Sequence, residues 1–253
     1  MLRATHDTIV ARIANAREST YHRAMIRRFR ARIGGDRTAT VTTTRYTAAH
    51  PWATLVLAHG AGAGQRHPFM VHFARALAER DVDVFTFDLL YMERGRKPPD
   101  RNPALEACWQ SVLSAVRARA TDAPLFLGGK SMGGRIASQV AAQGDDAIGG
   151  SIAGLVFLGY PLHPPGNPAK LRADHLAKIR APMLFCQGEH DAFGTPKELA
   201  PIAKKLARGT GIFVVDGGDH SFAVPKRLGV AQAEVYAKVI DRIVAWMTAI
   251  NAR

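Results

Sequence analysis

The feature that most constrains this chain is a short apolar run, Leu125-Phe126-Leu127, that passes through Gly128-Gly129-Lys130-Ser131-Met132-Gly133-Gly134 into a helical pattern. Gly-x-Ser-x-Gly between a strand and a helix implies a turn so sharp that a Cβ at Gly129 or Gly133 would strike adjoining backbone. Such a turn lifts the Ser131 hydroxyl clear of the sheet. Three fixed positions recur by chance, so the rest of the chain has to supply the specificity.

A serine is unreactive at its own pKa and needs a base within hydrogen-bond reach and a third group that orients the base. Of the ten histidines, His220 is the one in a Gly-rich loop, Gly217-Gly218-Asp219-His220-Ser221-Phe222, after the last strand-like run. For the orienting acid, Asp191 in Gln187-Gly188-Glu189-His190-Asp191 competes with Glu189, Asp216 and Asp219. Asp191 is favoured because it follows a strand end by a few residues, where a loop can carry its carboxylate to the histidine. Asp219 adjoins His220, and neighbouring side chains diverge; its expected role is to cap the loop backbone.

Charge developing on a substrate oxygen needs preorganised donors. The Met132 N–H, just past the serine at a helix N-terminus, is one candidate. The other is the Ala61 N–H in His59-Gly60-Ala61-Gly62-Ala63-Gly64, with Gly62 the fallback if the turn shifts by one. His59 is read as a structural hydrogen-bonding residue. These glycines do not make a phosphate-binding loop, because Gly64 is followed by Gln65 and the GKS at 129–131 lacks the glycine near position 124.

From residue 38 onward, strand-like runs at 39–46, 53–58, 82–87, 124–128, 153–158, 182–186 and 211–215 alternate with helical patterns near 67–80, 103–120, 131–143, 196–207 and 226–250. That alternation predicts a mostly parallel sheet with helices on both faces. His59, Ser131, Asp191 and His220 all follow the carboxyl ends of their runs, the rim where open α/β sheets bind ligands.

Together the blocks HGAGAG, GGKSMGGR, GYPLHPPG, QGEHD and GDHSF, in this order over roughly residues 40 to 250, resemble a small α/β-hydrolase of the dienelactone-hydrolase-like branch. The resemblance implies an α/β-hydrolase sheet with minimal or no cap domain and a triad in the order Ser131, Asp191, His220. Dienelactone hydrolases proper carry a cysteine nucleophile where this chain has Ser131, and acyl-transfer chemistry is compatible with both. An insertion after the strand at 153–158 covers the pocket in many such folds, so Tyr160, Leu162 and His163 are expected to line it. Asp88, Tyr91, Glu93, Arg94 and Arg96 follow the 82–87 strand as solvated loop groups able to meet a polar substrate. Lys130 and Arg135 flank the serine; both read as structural, and either could attract a carboxylate.

The chain of 253 residues, with a net charge of +13, divides unevenly. Residues 1–37 hold nine arginines against Asp7, Glu18 and Asp36, while the rest of the excess is spread over the body. No basic block interleaved with aromatics appears there, so specific nucleic-acid binding is not expected. Ile9, Ile13, Tyr21, Met25 and Phe29 recur near helical spacing, which predicts a basic, helical N-terminal arm over 1–37 and a hydrolase domain over 38–253. The arm is the expected contact for an acidic partner, an anionic membrane or a second subunit of a homodimer. Cys108 and Cys186 lie in apolar elements without metal-ligand spacing, and are expected to be buried free thiols in a cytoplasmic protein. No cofactor, metal, signal peptide or transmembrane segment is expected. Two functions follow: a serine hydrolase cleaving a small ester or thioester at a shallow pocket, or an idle α/β-hydrolase fold serving as a binding or scaffold module. The intact serine, acid and histidine set favours the first.

Overall fold

The computed structural model describes residues 25–34 and 39–252. Eight strands form one sheet in the order β1-β2-β4-β3-β5-β6-β7-β8. They are β1 (Met25–Arg32), β2 (Thr40–Thr47), β3 (Ala53–Ala58), β4 (Val82–Phe87), β5 (Leu125–Lys130), β6 (Gly154–Leu158), β7 (Met183–Gly188) and β8 (Gly211–Val215). The β1–β2 and β2–β4 pairs are antiparallel and every other pair is parallel. Strands β3, β4, β6 and β7 are buried at every position, which is why they are mostly apolar: a parallel strand sandwiched between helices has no solvent face.

The helices are α1 (Pro68–Ala78), α2 (Leu90–Glu93), α3 (Asn102–Arg117), α4 (Met132–Ala141), α5 (Pro196–Ala203) and α6 (Gln232–Asn251). Helices α1 and α6 cover one face, where Phe69, Phe73, Val239 and Ile243 join Leu55, Phe126 and Leu184. Helices α3 and α4 cover the other, with Trp109 packed edge-on against Phe87 at 5.0 Å and Ile136 and Val140 over Leu127 and Phe157. The sheet thus separates two cores and presents its carboxyl rim between them.

One expectation is corrected at the start of the chain. Residues 25–32 form strand β1, not helix, paired with β2 from Met25↔Thr47 to Arg32↔Thr40. The alternation is of period two: Phe29, Ala31 and Ile33 turn inward, and Arg28, Arg30 and Arg32 turn outward. Phe29 meets Phe85 edge-on at 6.3 Å and lies under the Arg119 guanidinium, while Arg30 pairs with Glu93. The sheet therefore begins inside the expected arm. Residues 1–24 and 35–38 of it lie outside the described residues. Between β6 and β7 only a short 3-10 turn at Asp174–Lys178 interrupts irregular chain, so no separate cap stands over the rim there.

Candidate active site

Ser131 stands between β5 and α4 with φ 50° and ψ −118°, a conformation costly for any residue with a Cβ. The surrounding glycines make it possible. A Cβ on Gly129 would lie 2.4 Å from the Gly134 nitrogen, and one on Gly133 would lie 2.5 Å from the Ala58 oxygen. The Ser131 N–H donates to the Leu158 carbonyl (3.1 Å) and its carbonyl accepts the Arg135 N–H (3.1 Å), which ties the apex to β6 and to α4.

His220 reaches the serine from the loop after β8. Its Nε2 lies 2.8 Å from Ser131 Oγ and its Nδ1 lies 2.8 Å from Asp191 Oδ2. Asp191 is buried, so its carboxylate is not shared with water. Oδ2 also accepts from Gln187 Nε2 (2.7 Å) and Oδ1 accepts the Phe193 N–H (2.8 Å). The Phe193 ring lies over the His220 ring at 4.3 Å. With Nδ1–H directed at a carboxylate, the Nε2 lone pair is left to accept the serine hydrogen. The competing acids do other work. Glu189 Oε2 accepts the Gly217 N–H, and Asp219 Oδ1 accepts the N–H groups of Ser221 and Ala223, the capping expected of it.

The histidine loop is held from two sides. Phe222 is fully buried among Phe69 and Phe73 at φ 64°, and Lys130 Nζ donates to the His220 carbonyl at 2.7 Å. Burial pulls the Lys130 ammonium down to about 8, against the opposing pull of Asp191 and Asp219.

Ala61 and Met132 both line the cleft at Ser131. The His59 ring is fully buried; Nε2 accepts the Leu89 N–H (3.0 Å), so the proton sits on Nδ1, which donates to the Gly60 carbonyl (2.7 Å). Burial lowers the His59 pKa and keeps the ring neutral. Because a peptide is planar, holding the Gly60 carbonyl also fixes the direction of the Ala61 N–H across the same unit. The next peptide is held likewise, since Tyr91 Oη donates to the Ala61 carbonyl (3.0 Å) and thereby orients the Gly62 N–H. Tyr91 is buried, not solvated as expected of its loop, and desolvation raises its phenol to about 12, so it remains a donor.

The expected pocket residues are corrected. Tyr160, Leu162 and His163 are buried beneath the segment after β6 and do not line the cleft; Pro161 does. The Tyr160 ring meets Phe157 and Phe185 at 5.0 and 5.5 Å and its Oη donates to the Arg172 carbonyl, while His163 Nε2 lies 3.2 Å from Glu198. A large ring gains more from the core than from an open rim, and here Gly159, at φ 69°, turns the chain inward. The cleft of about 930 Å³ is lined instead by Phe69, Met70, His72 and Tyr236 on one side and Arg135 and Arg172 on the other. That volume is at the upper end of ordinary ligand sites. Gln187, Phe193, Tyr236 and Arg172 were not anticipated. For Gln187, a polar residue closing an apolar strand immediately before a glycine was the available signal.

A family model described as an alpha/beta hydrolase domain matches residues 51–248. The chain belongs to that family. It is 34% identical over 99 residues to a Schizosaccharomyces pombe protein named "Putative monoglyceride lipase", a match covering 37% of this chain and 26% of that protein. The chain thus spans about a quarter of that relative's length. Among solved structures, an alpha-beta serine hydrolase homologue from Coxiella burnetii superposes with a TM-score of 0.67 at 15% identity, over 87% of this chain and 96% of that one. A dienelactone hydrolase from Anabaena variabilis gives 0.64 at 16% identity, over 90% and 99%. At these identities the likeness is one of fold. Among the described residues of this alpha/beta hydrolase, no helix is long and apolar enough to cross a membrane, no group of three or more His, Cys, Asp or Glu side chains is placed to hold a metal, and Cys108 and Cys186 are buried and free.

Proposed function

We propose that this alpha/beta hydrolase cleaves an ester or thioester through an acyl-enzyme formed on Ser131. The observation that carries the reading is the continuous hydrogen-bonded run from Ser131 Oγ through His220 to Asp191, both links 2.8 Å, with its serine end open to the cleft. Substrate binding sets the carbonyl carbon against Ser131 Oγ. As Oγ attacks, its proton passes to His220 Nε2, and Asp191 stabilises the imidazolium through Nδ1–H without taking the proton. The carbonyl oxygen becomes an oxyanion held by the N–H groups of Ala61 and Met132, each worth about 2.7–4 kcal/mol at such a position. Collapse of this intermediate breaks the bond to the leaving group, which takes the proton from Nε2. Water then attacks the acyl-serine, giving its proton to Nε2, and the second collapse returns Ser131 with its hydrogen and releases the acid.

The aromatic wall of Phe69, His72 and Tyr236 suits an apolar portion of the substrate. A fluorophosphonate probe should label the folded protein at Ser131, located by peptide mass spectrometry, and p-nitrophenyl esters of increasing chain length should be turned over. Folded protein that neither labels nor turns over any of them would overturn the reading in favour of an idle fold that binds without reacting.

A further inference from the structure

Resting on the ester-hydrolase reading above, we propose that the substrate carries an anionic oxygen group, a carboxylate or a phosphate, which sits on Arg135 and Arg172 while its apolar portion lies against Phe69, His72 and Tyr236. Among the described residues the cleft is lined by Lys130, Arg135 and Arg172 and by no aspartate or glutamate. Lys130 is committed to the His220 carbonyl. Neither guanidinium group has a carboxylate paired with it among the described residues.

Arg135 is half-buried on α4. Its Nη1 donates to Gln139 Oε1 (3.1 Å) and its Nη2 makes a long contact to Asn102 Oδ1 (3.5 Å), both neutral acceptors, while Nε is buried with no hydrogen-bond partner. Arg172 is held by its backbone, the N–H donating to the Leu162 carbonyl (2.8 Å) and the carbonyl accepting from Tyr160 Oη (2.9 Å), so its side chain springs from a fixed base. Among the described residues neither arginine forms an ion pair. Elsewhere the fold does pair its arginines: Arg45 with Asp83, Arg80 with Asp241, Arg96 with Asp100, Arg30 with Glu93. Withdrawing a charge from water without a counter-charge is unfavourable, and placing two together doubles the problem. Burial lowers the Arg135 pKa most and the charge of Arg172 lowers it further, against the opposing pull of Tyr160 and Glu106, so the two guanidinium groups on this wall repel each other. An anion between them relieves both terms, and guanidinium geometry suits an oxyanion in two-point contact.

The position relative to Ser131 defines the molecule. Arg135 comes one helical turn after the serine, on the face of the sheet covered by α4, whereas Phe69 and Tyr236 belong to α1 and α6 on the opposite face. The scissile carbonyl over Ser131 therefore has an apolar wall to one side and a cationic wall to the other.

The test is a binding measurement on Ser131→Ala protein, which needs no turnover. Calorimetry would compare monobutyl succinate, the butyl ester of 3-phosphonopropionate, and the neutral butyl methyl succinate. At least one anionic ester should bind about tenfold more tightly than the neutral diester, with the preference shrinking as salt rises; which anion binds more tightly distinguishes carboxylate from phosphate. Arg172→Gln and Arg135→Gln, each on the Ser131→Ala background, should remove most of the preference. Should Arg135→Gln disturb α4, Arg172→Gln in the irregular segment carries the test. Equal affinities for charged and neutral esters, or a preference surviving Arg172→Gln, would overturn the proposal. Turnover of p-nitrophenyl butyrate by the unaltered protein reads the hydrolase assignment separately, so failure of one is not failure of the other.

Discussion

Two serine–histidine pairs in this molecule share one distance and differ in hydrogen-bond direction, in the group behind the imidazole and in access to the cleft. Ser131 Oγ lies 2.8 Å from His220 Nε2, and Ser138 Oγ, two turns further along α4, lies 2.8 Å from His175 Nε2. In the second pair the single hydroxyl hydrogen is directed to the Arg135 carbonyl (2.7 Å), which can only accept. His175 must then donate from Nε2 to Ser138 Oγ, the reverse of the direction at Ser131. The difference lies at the far nitrogen. Asp191 fixes the proton of His220 on Nδ1, whereas His175 Nδ1 has no carboxylate against it among the described residues. Ser138 is also fully buried in mid-helix, while Ser131 opens on the cleft. Proximity of hydroxyl to imidazole thus says little; the third group and the access decide.

The largest effects should fall on the first pair alone. Ser131→Ala and His220→Ala should each lower kcat on a p-nitrophenyl ester by about 10⁴-fold or more, and the double variant should be no worse, because the groups act as a unit. Fluorophosphonate labelling should vanish in Ser131→Ala and persist in Ser138→Ala; label found on Ser138 would break the comparison. Next, Asp191→Asn should cost about 10⁴-fold in kcat by releasing the wrong tautomer of His220. Retained activity there, with loss in Glu189→Gln, would move the acid to Glu189.

A smaller effect is expected at Gln187. This buried amide donates to Asp191 Oδ2 and the Gly194 carbonyl (both 2.7 Å) and to the Tyr160 carbonyl (3.2 Å), and accepts the Tyr160 N–H (2.8 Å), so Gln187→Met leaves four groups short of a partner. Stability should fall by about 1–3 kcal/mol in urea denaturation, the cost of an unmet buried polar group. Because the carboxylate loses one of its anchors, kcat should fall as well, with KM little changed. A variant destabilised by that amount with unaltered kcat would mean that His220 and the Phe193 N–H suffice to hold Asp191.

The parts of this site that were legible in the sequence are those built by short range. The Ser131 elbow is written in glycines that touch each other's backbone, and His220 is marked by Gly217 and Gly218. What was illegible depends on which way a long loop turns. Nothing local distinguishes a Tyr160 that lines a cleft from one that packs on Phe185, and Arg172 lies far from Ser131 in an irregular segment. Strand β1 is a different case. Its inward Phe29, Ala31 and Ile33 were readable at period two, but Ile9, Ile13, Tyr21 and Met25 fitted a period near 3.6 and carried the helical assignment past the start of the strand.

The buried His175 also ties stability to pH. Burial, with the nearby Arg135 charge, lowers His175 from 6.5 to about 4. Between those values the unfolded chain binds a proton at this site that the folded chain refuses, so the contribution of the neutral, hydrogen-bonded ring is fully present above pH 6.5 and is lost as pH falls toward 4. Thermal melts should show Tm falling over that window, and His175→Gln should fall less steeply. Parallel curves for the two proteins would mean that other groups govern the acid limb.

The smallest effect should come from Ser138→Ala. The substitution removes the acceptor of the His175 Nε2–H and the donor to the Arg135 carbonyl, and it also places a better helix former in mid-helix. These oppose one another, and a net loss of about 1 kcal/mol is expected, the ordinary worth of one internal hydrogen bond. Turnover of a neutral ester should stay close to that of the unaltered protein, because the first turn of α4 is fixed by the close approach of Gly133 to the Ala58 carbonyl and not by Ser138. Urea denaturation and kcat/KM measured on the same preparation check both halves. A large drop in kcat/KM with normal stability would mean that the second pair acts on the first through α4, and the separation between a reacting and a structural serine–histidine pair would not hold.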